Sequence, residues 1–164
     1  MDPRAEERAM KMALPVGEDL SEGFCSGIYE VTVDVGPRIR LPRDIIKTLL
    51  NHQIETLWVY PDPTGPRLIV IPDSNRQAYM RIARENLPAS LPSDRACREF
   101  LCAGRQIPVR NHGRISVASF HAEGFSSGVA DTVVIIGTGL WYELWRQDDW
   151  FTNTLEIGKQ RRHK

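Results

Sequence analysis

The chain carries one pattern twice. Val33-Asp34-Val35-Gly36-Pro37-Arg38-Ile39-Arg40-Leu41-Pro42 returns 76 positions later as Val109-Arg110-Asn111-His112-Gly113-Arg114-Ile115-Ser116-Val117-Ala118. In each copy an alternating apolar run meets a tight polar turn, an arginine follows, and a second alternating run leaves. Alternation at every second residue is the period of a half-buried strand. Each copy is followed by an apolar strand pair, Leu57–Tyr60 with Leu68–Ile71 and Val133–Ile136 with Trp141–Trp145. A unit of roughly 50 residues is too small to bury a good core alone. The two copies must therefore pack against each other or interlace.

Local signals divide the chain. Residues 1–23, acidic and punctuated by glycine, predict a disordered leader. Residues 24–72 form the first unit. Within it, Tyr29, Val31 and Val33 alternate with Glu30, Thr32 and Asp34, and Gly36-Pro37 force a turn. Pro42 opens a short helix with Ile45, Ile46, Leu49 and Leu50 on its apolar face, and a proline-rich loop over 61–66 separates the strand pair. Residues 73–103 predict two linking helices, the first capped by Asp73 or Ser74 and the second by Ser93. Residues 104–146 form the second unit, and 147–164 a C-terminal helix begun by Asp148-Asp149 and ending in a basic tail. The fold class is α+β: two tandem pseudo-repeat β units with connecting helices.

Composition narrows the function classes. With 21 basic and 21 acidic residues the formal net charge is zero, so the chain is not a globally basic polyanion binder. Any nucleic-acid surface must be a local patch, repeated by oligomerisation. No apolar run approaches the ~20 residues that span a bilayer, and the charged N-terminus does not read as a secretory signal. A cytoplasmic protein with no membrane partner is expected. Cys25, Cys97 and Cys102 fit neither a disulfide framework nor a metal spacing, and Cys97 and Cys102 fall on an apolar helix face, as buried thiols would. His52, His112, His121 and His163 have no metal-ligand spacing, and no nucleophile or phosphate-loop motif is present. The chain reads as a non-enzyme with no cofactor and no small-molecule substrate.

The chemistry concentrates at the two turns. Arg38, Arg40 and Arg43 cluster around the first, and Arg110, His112 and Arg114 around the second. An arginine fork grips a phosphate or reads guanine O6 and N7 in the major groove, and a two-stranded ribbon is narrow enough to enter that groove. These six residues are the candidate DNA contacts. Asp34, Gly36, Pro37 and Gly113 are turn-forming, the aspartate as an acceptor for turn amides. The bland alternative pairs the arginines with Asp34, Asp44 or Glu30 on a solvated face. Trp58, Trp141, Trp145 and Trp150 fall on strands and a helix start, as core or subunit interface. The basic tail is either a solvated end or a non-specific DNA anchor.

Several of these segments together resemble the MraZ family of bacterial transcriptional regulators, built from two AbrB-like swapped-hairpin units. Phe24-Cys25-Ser26-Gly27 with Asp34 seven residues on, then Arg38-Ile39-Arg40-Leu41-Pro42, resembles the family's opening pattern. Arg98-Glu99-Phe100-Leu101 leading to Gly113-Arg114-Ile115 is similar to the start of its second copy. Val133-Val134-Ile135-Ile136-Gly137-Thr138-Gly139, then Glu143-Leu144-Trp145 and Trp150, resembles its ending. The turns depart from the family's Asp-x-x-Gly-Arg pattern: Gly36-Pro37 replaces a lysine-glycine, and Arg110 stands in the aspartate position. The resemblance implies two tandem swapped-hairpin units, a homo-oligomeric ring, and a nucleoid-associated repressor that binds short double-stranded promoter repeats through its arginine-bearing strand–turn–strand tips. Two other classes stay open, an oligomeric scaffold for a protein partner and an AbrB-like antitoxin whose acidic leader contacts a toxin.

Overall fold

A computed structural model describes residues 23–62, 65–85, 98, 102–110, 113–117, 120, 125 and 128–162, with backbone alone for 156–162. The elements are β1 (Ile28–Thr32), β2 (Arg38–Arg40), α1 (Arg43–Asn51), β3 (Thr56–Pro61), β4 (Arg67–Pro72), a 3-10 turn (Asp73–Asn75), α2 (Arg76–Glu85), β5 (Arg105–Pro108), β6 (Arg114–Ser116), β7 (Thr132–Gly137), β8 (Tyr142–Arg146) and α3 (Gln147–Arg162). The fold is mixed α+β. Six strands form an antiparallel sheet in the order β1-β7-β8-β4-β3-β5, and β2 and β6 form a separate two-stranded ribbon.

Among the described residues two pairings, β3 with β4 and β7 with β8, are local hairpins. The other four join early strands to late ones: β1 to β7, β2 to β6, β3 to β5 and β4 to β8. Exchanging each of β1–β4 with the strand four places later turns the sheet order into its own reverse. The turn expected at Gly36-Pro37 is present, yet it joins strands with different partners. Just beyond β1, Asp34 forms an isolated bridge with Arg38 at the start of β2.

The sheet has two covered faces. Alternate residues Leu57, Val59, Leu68 and Val70 join Ile39, Leu41, Ile45, Leu49 and Ile115 in the main core, so the ribbon and α1 cover one face. Their neighbours Tyr60, Ile69 and Ile71 join Tyr79, Met80, Trp58 and Trp141 in a second cluster, so α2 covers the other. This double burial explains why β3 and β4 read as continuous apolar runs.

Four local expectations change. Pro42 is the residue before α1 rather than its first, with extended backbone (φ −53°, ψ 148°) and a carbonyl that accepts Ile46 N–H at 3.1 Å. Ile45 and Leu49 are buried, but Leu50 is 42% exposed, because a short helix on a flat surface buries one narrow stripe. Neither Asp73 nor Ser74 caps α2. Pro72 precedes the 3-10 turn, and the Asp73 carboxylate accepts the Trp58 indole N–H at 2.8 Å. Cys102 is exposed where a buried thiol was expected, and Cys25 is the buried one. The leader through residue 22, Cys97 and the helix start at Ser93 lie outside the described residues. Among the described residues no helix is long and apolar enough to cross a membrane.

Candidate nucleic-acid interface

The ribbon brings both arginine turns to one place. Ile39 pairs with Ile115, and both point inward, 0% and 1% exposed. Because side chains alternate along a strand, the flanking residues share the opposite face. Register sets Arg38 across from Ser116 and Arg40 across from Arg114. Three guanidinium groups thus line one outward face, anchored by two isoleucines that face the core.

Main-chain bonds close both ends of the ribbon. Val117 N–H donates to Pro37 O at 2.9 Å, and Leu41 N–H donates to Gly113 O at 3.3 Å. Pro37 and Gly113 hold equivalent places, and each contributes only a carbonyl there. The absent N–H of Pro37 therefore costs no ladder bond. Gly113 has φ +53°, and an added Cβ would lie 2.8 Å from Ile46 Cδ1 and 2.9 Å from Leu41 Cδ1, so glycine lets α1 and the ribbon approach closely. Gly36, at φ +88°, supplies the reversal before Arg38.

The acid expected to hold the first turn acts differently. Asp34 N–H donates to Arg38 O at 2.8 Å and Arg38 N–H returns to Asp34 O at 3.3 Å, so the backbone closes the turn. The Asp34 carboxylate lies 3.6 Å from Arg40 Nε, both side chains more than half exposed. Such an exposed pair contributes about 0–1 kcal/mol and yields readily to a competing anion. Arg114 is half-buried, and its buried Nε has no hydrogen-bond partner among the described residues. Like charges directly opposite on a ribbon are destabilising. Arg40 and Arg114 therefore concentrate positive charge on one face, where the Arg114 Nε is an unused donor among the described residues.

The remaining candidates spread outward. Arg43 is exposed at the first turn of α1, beside Asp44. Arg110, exposed, lies 3.4 Å from Glu55 at the β3–β5 edge, so it forms an ion pair away from the ribbon face. His112 lies outside the described residues. Ser116 is a ribbon-face residue that the sequence reading missed. The repeat held the signal, since Ser116 occupies the place of Arg40 in the second copy, but only register shows that it faces Arg38.

Other perturbed groups sit in the core. Burial pushes the Cys25 thiol up to about 12, against a hydrogen bond with Tyr142 that lowers it. Burial also holds the Tyr79 and Tyr142 hydroxyls well above the ordinary tyrosine value. Trp145 is buried, and Trp58 and Trp141 pack on the second cluster. No protein-family model and no curated protein sequence matches this chain.

Proposed function

We propose that this chain is a DNA-binding transcriptional regulator, a repressor, that inserts the β2–β6 ribbon face into the major groove. Its resemblance to the MraZ family supports this reading, as does the strand order that exchanges early with late strands, the pattern two tandem swapped-hairpin units would give. The observation that carries the proposal is the β2–β6 register, which sets Arg38, Arg40 and Arg114 on one face of a two-stranded ribbon. Arg43 at the adjoining helix start would reach a flanking phosphate, and Arg110 would do so only by releasing Glu55. A near-neutral subunit with so few contacts binds weakly alone. A homo-oligomeric ring engaging a row of promoter repeats would gain affinity through effective concentration. Binding across a promoter then obstructs transcription at the nucleoid.

Fluorescence anisotropy against duplex DNA from upstream of the gene, beside a scrambled duplex and at several salt concentrations, tests this. Preferential binding that weakens steeply with salt is expected. Arg38→Ala or Arg114→Ala should weaken it while assembly, read by light scattering, is unchanged. Equal, salt-independent behaviour toward both duplexes would reject the regulator and leave a scaffold or an antitoxin.

A further inference from the structure

The sheet face away from the ribbon carries a second cationic surface. α2 packs Tyr79, Met80 and Ala83 on the second cluster. Its outer side forms a shallow cleft of about 330 Å³ lined by Arg76, Gln77, Met80, Arg81 and Arg84. Three of these five residues are arginines and none is acidic. Arg76 is fixed in place: its guanidinium carbon lies 3.8 Å from the Trp58 ring centroid, and its Nε donates to the Tyr60 hydroxyl at 2.9 Å. Arg81 and Arg84 are exposed and three residues apart, so they are neighbours on the helix surface. Among the described residues no carboxylate lies within ion-pair distance of the three. Like charges one turn apart destabilise a helix. Arg76 is thus held by Trp58 and Tyr60, whereas Arg81 and Arg84 have no such contact among the described residues and suit an external anion.

The lining identifies the ligand. Guanidinium forks match phosphate geometry, and a groove open along a helix suits a continuous backbone better than a compact small molecule. We propose that the outer side of α2 is a second phosphate-binding surface that takes the backbone of another DNA duplex segment. It lies back to back with the ribbon, and the six-stranded sheet between them prevents one straight duplex from touching both. One chain then holds two segments, reading with the ribbon and clamping with α2. The inference shares its class of partner with the proposed function but not its surface.

Capture of a second, fluorescent duplex by protein bound to a surface-immobilised duplex tests it. Wild-type protein should capture the second duplex. Arg81→Ala/Arg84→Ala should bind the first and lose at least tenfold of the capture, and Arg81→Lys/Arg84→Lys should restore much of it. In solution, the alanine pair should lower the salt slope of non-specific duplex binding by about 1.8, at roughly 0.9 per lost phosphate contact. Undiminished capture by the alanine pair, or no capture by wild type, overturns the inference and leaves the ribbon reading intact. If Arg38→Ala/Arg40→Ala binds and captures normally while the α2 pair does not, the ribbon reading fails and the α2 surface stands.

Discussion

Arg114→Met should stabilise this protein while weakening the DNA binding proposed for it. The buried Arg114 Nε has no acceptor among the described residues, and Arg40 lies directly across the ribbon. A buried unsatisfied donor costs about 1–3 kcal/mol. A like-charge cross-strand pair adds about 0.2–1 kcal/mol. Two features pull the sum down: Arg114 is only half-buried, and Asp34 at 3.6 Å offsets part of the Arg40 charge. Methionine keeps most of the aliphatic stem and its packing. The net gain is then about 1–2 kcal/mol, which for a domain of this size raises Tm by about 2–8 °C. Loss of one arginine fork should cost about 1–3 kcal/mol of binding, roughly fivefold to 150-fold in Kd. Thermal melts by circular dichroism and duplex anisotropy on the same preparation read both effects. Arg38→Met is the control, losing affinity with Tm nearly unchanged, because Arg38 is exposed. A lower Tm for Arg114→Met would refute the reasoning, since Arg114 would then hold the ribbon together instead of straining it.

Other perturbations probe the same frame. Ser116→Glu sets an acid across from Arg38, so it should stabilise by about 0.2–1 kcal/mol and sharply weaken duplex binding, which melts and anisotropy will show. Gly137→Ala should destabilise by about 3 kcal/mol or more, because the new Cβ would fall 2.4 Å from the Ser26 backbone, whereas Gly65→Ala, with nothing within 4 Å, should be neutral in urea unfolding. Iodoacetamide should label exposed Cys102 in the native state and reach buried Cys25 only on unfolding, as mass spectrometry would show. Alkali should also destabilise the fold. Unfolded chains lose the Cys25 proton near 9.0 while the native thiol holds it to about 12, so stability falls across that interval by about 1.4 kcal/mol per pH unit. Tyr79 and Tyr142 act in the same direction. Stability flat from pH 8.5 to about 11 in alkaline urea titrations would contradict this burial.

Much of the molecule was legible in local pattern. Alternation along residues 24–33 marked a strand that is β1 over Ile28–Thr32, whose Tyr29 and Val31 pack on the main core while Glu30 and Thr32 face outward. Apolar runs separated by glycine- and proline-rich turns marked the hairpins β3–β4 and β7–β8. The same pattern misjudged Asp73, Asp34 and Cys102. A carboxylate near a helix start or a turn can serve whichever donor the tertiary structure brings closest, and those donors were the Trp58 indole and the Arg40 guanidinium.

The duplicated motif, read from sequence alone, required two copies to share a core and made Arg38 and Arg114 counterparts. Alternation likewise sets Ile39 on the face opposite Arg38 and Arg40, because side-chain alternation is a property of the extended backbone itself. Which strands pair is not such a property. A β-strand offers the same donors and acceptors to any neighbour, and the choice rests on how distant apolar faces fit. Tertiary structure alone therefore decided that β2 meets β6, that Arg40 faces Arg114 and Arg38 faces Ser116, and that α2 sets its arginines on the opposite side of the sheet.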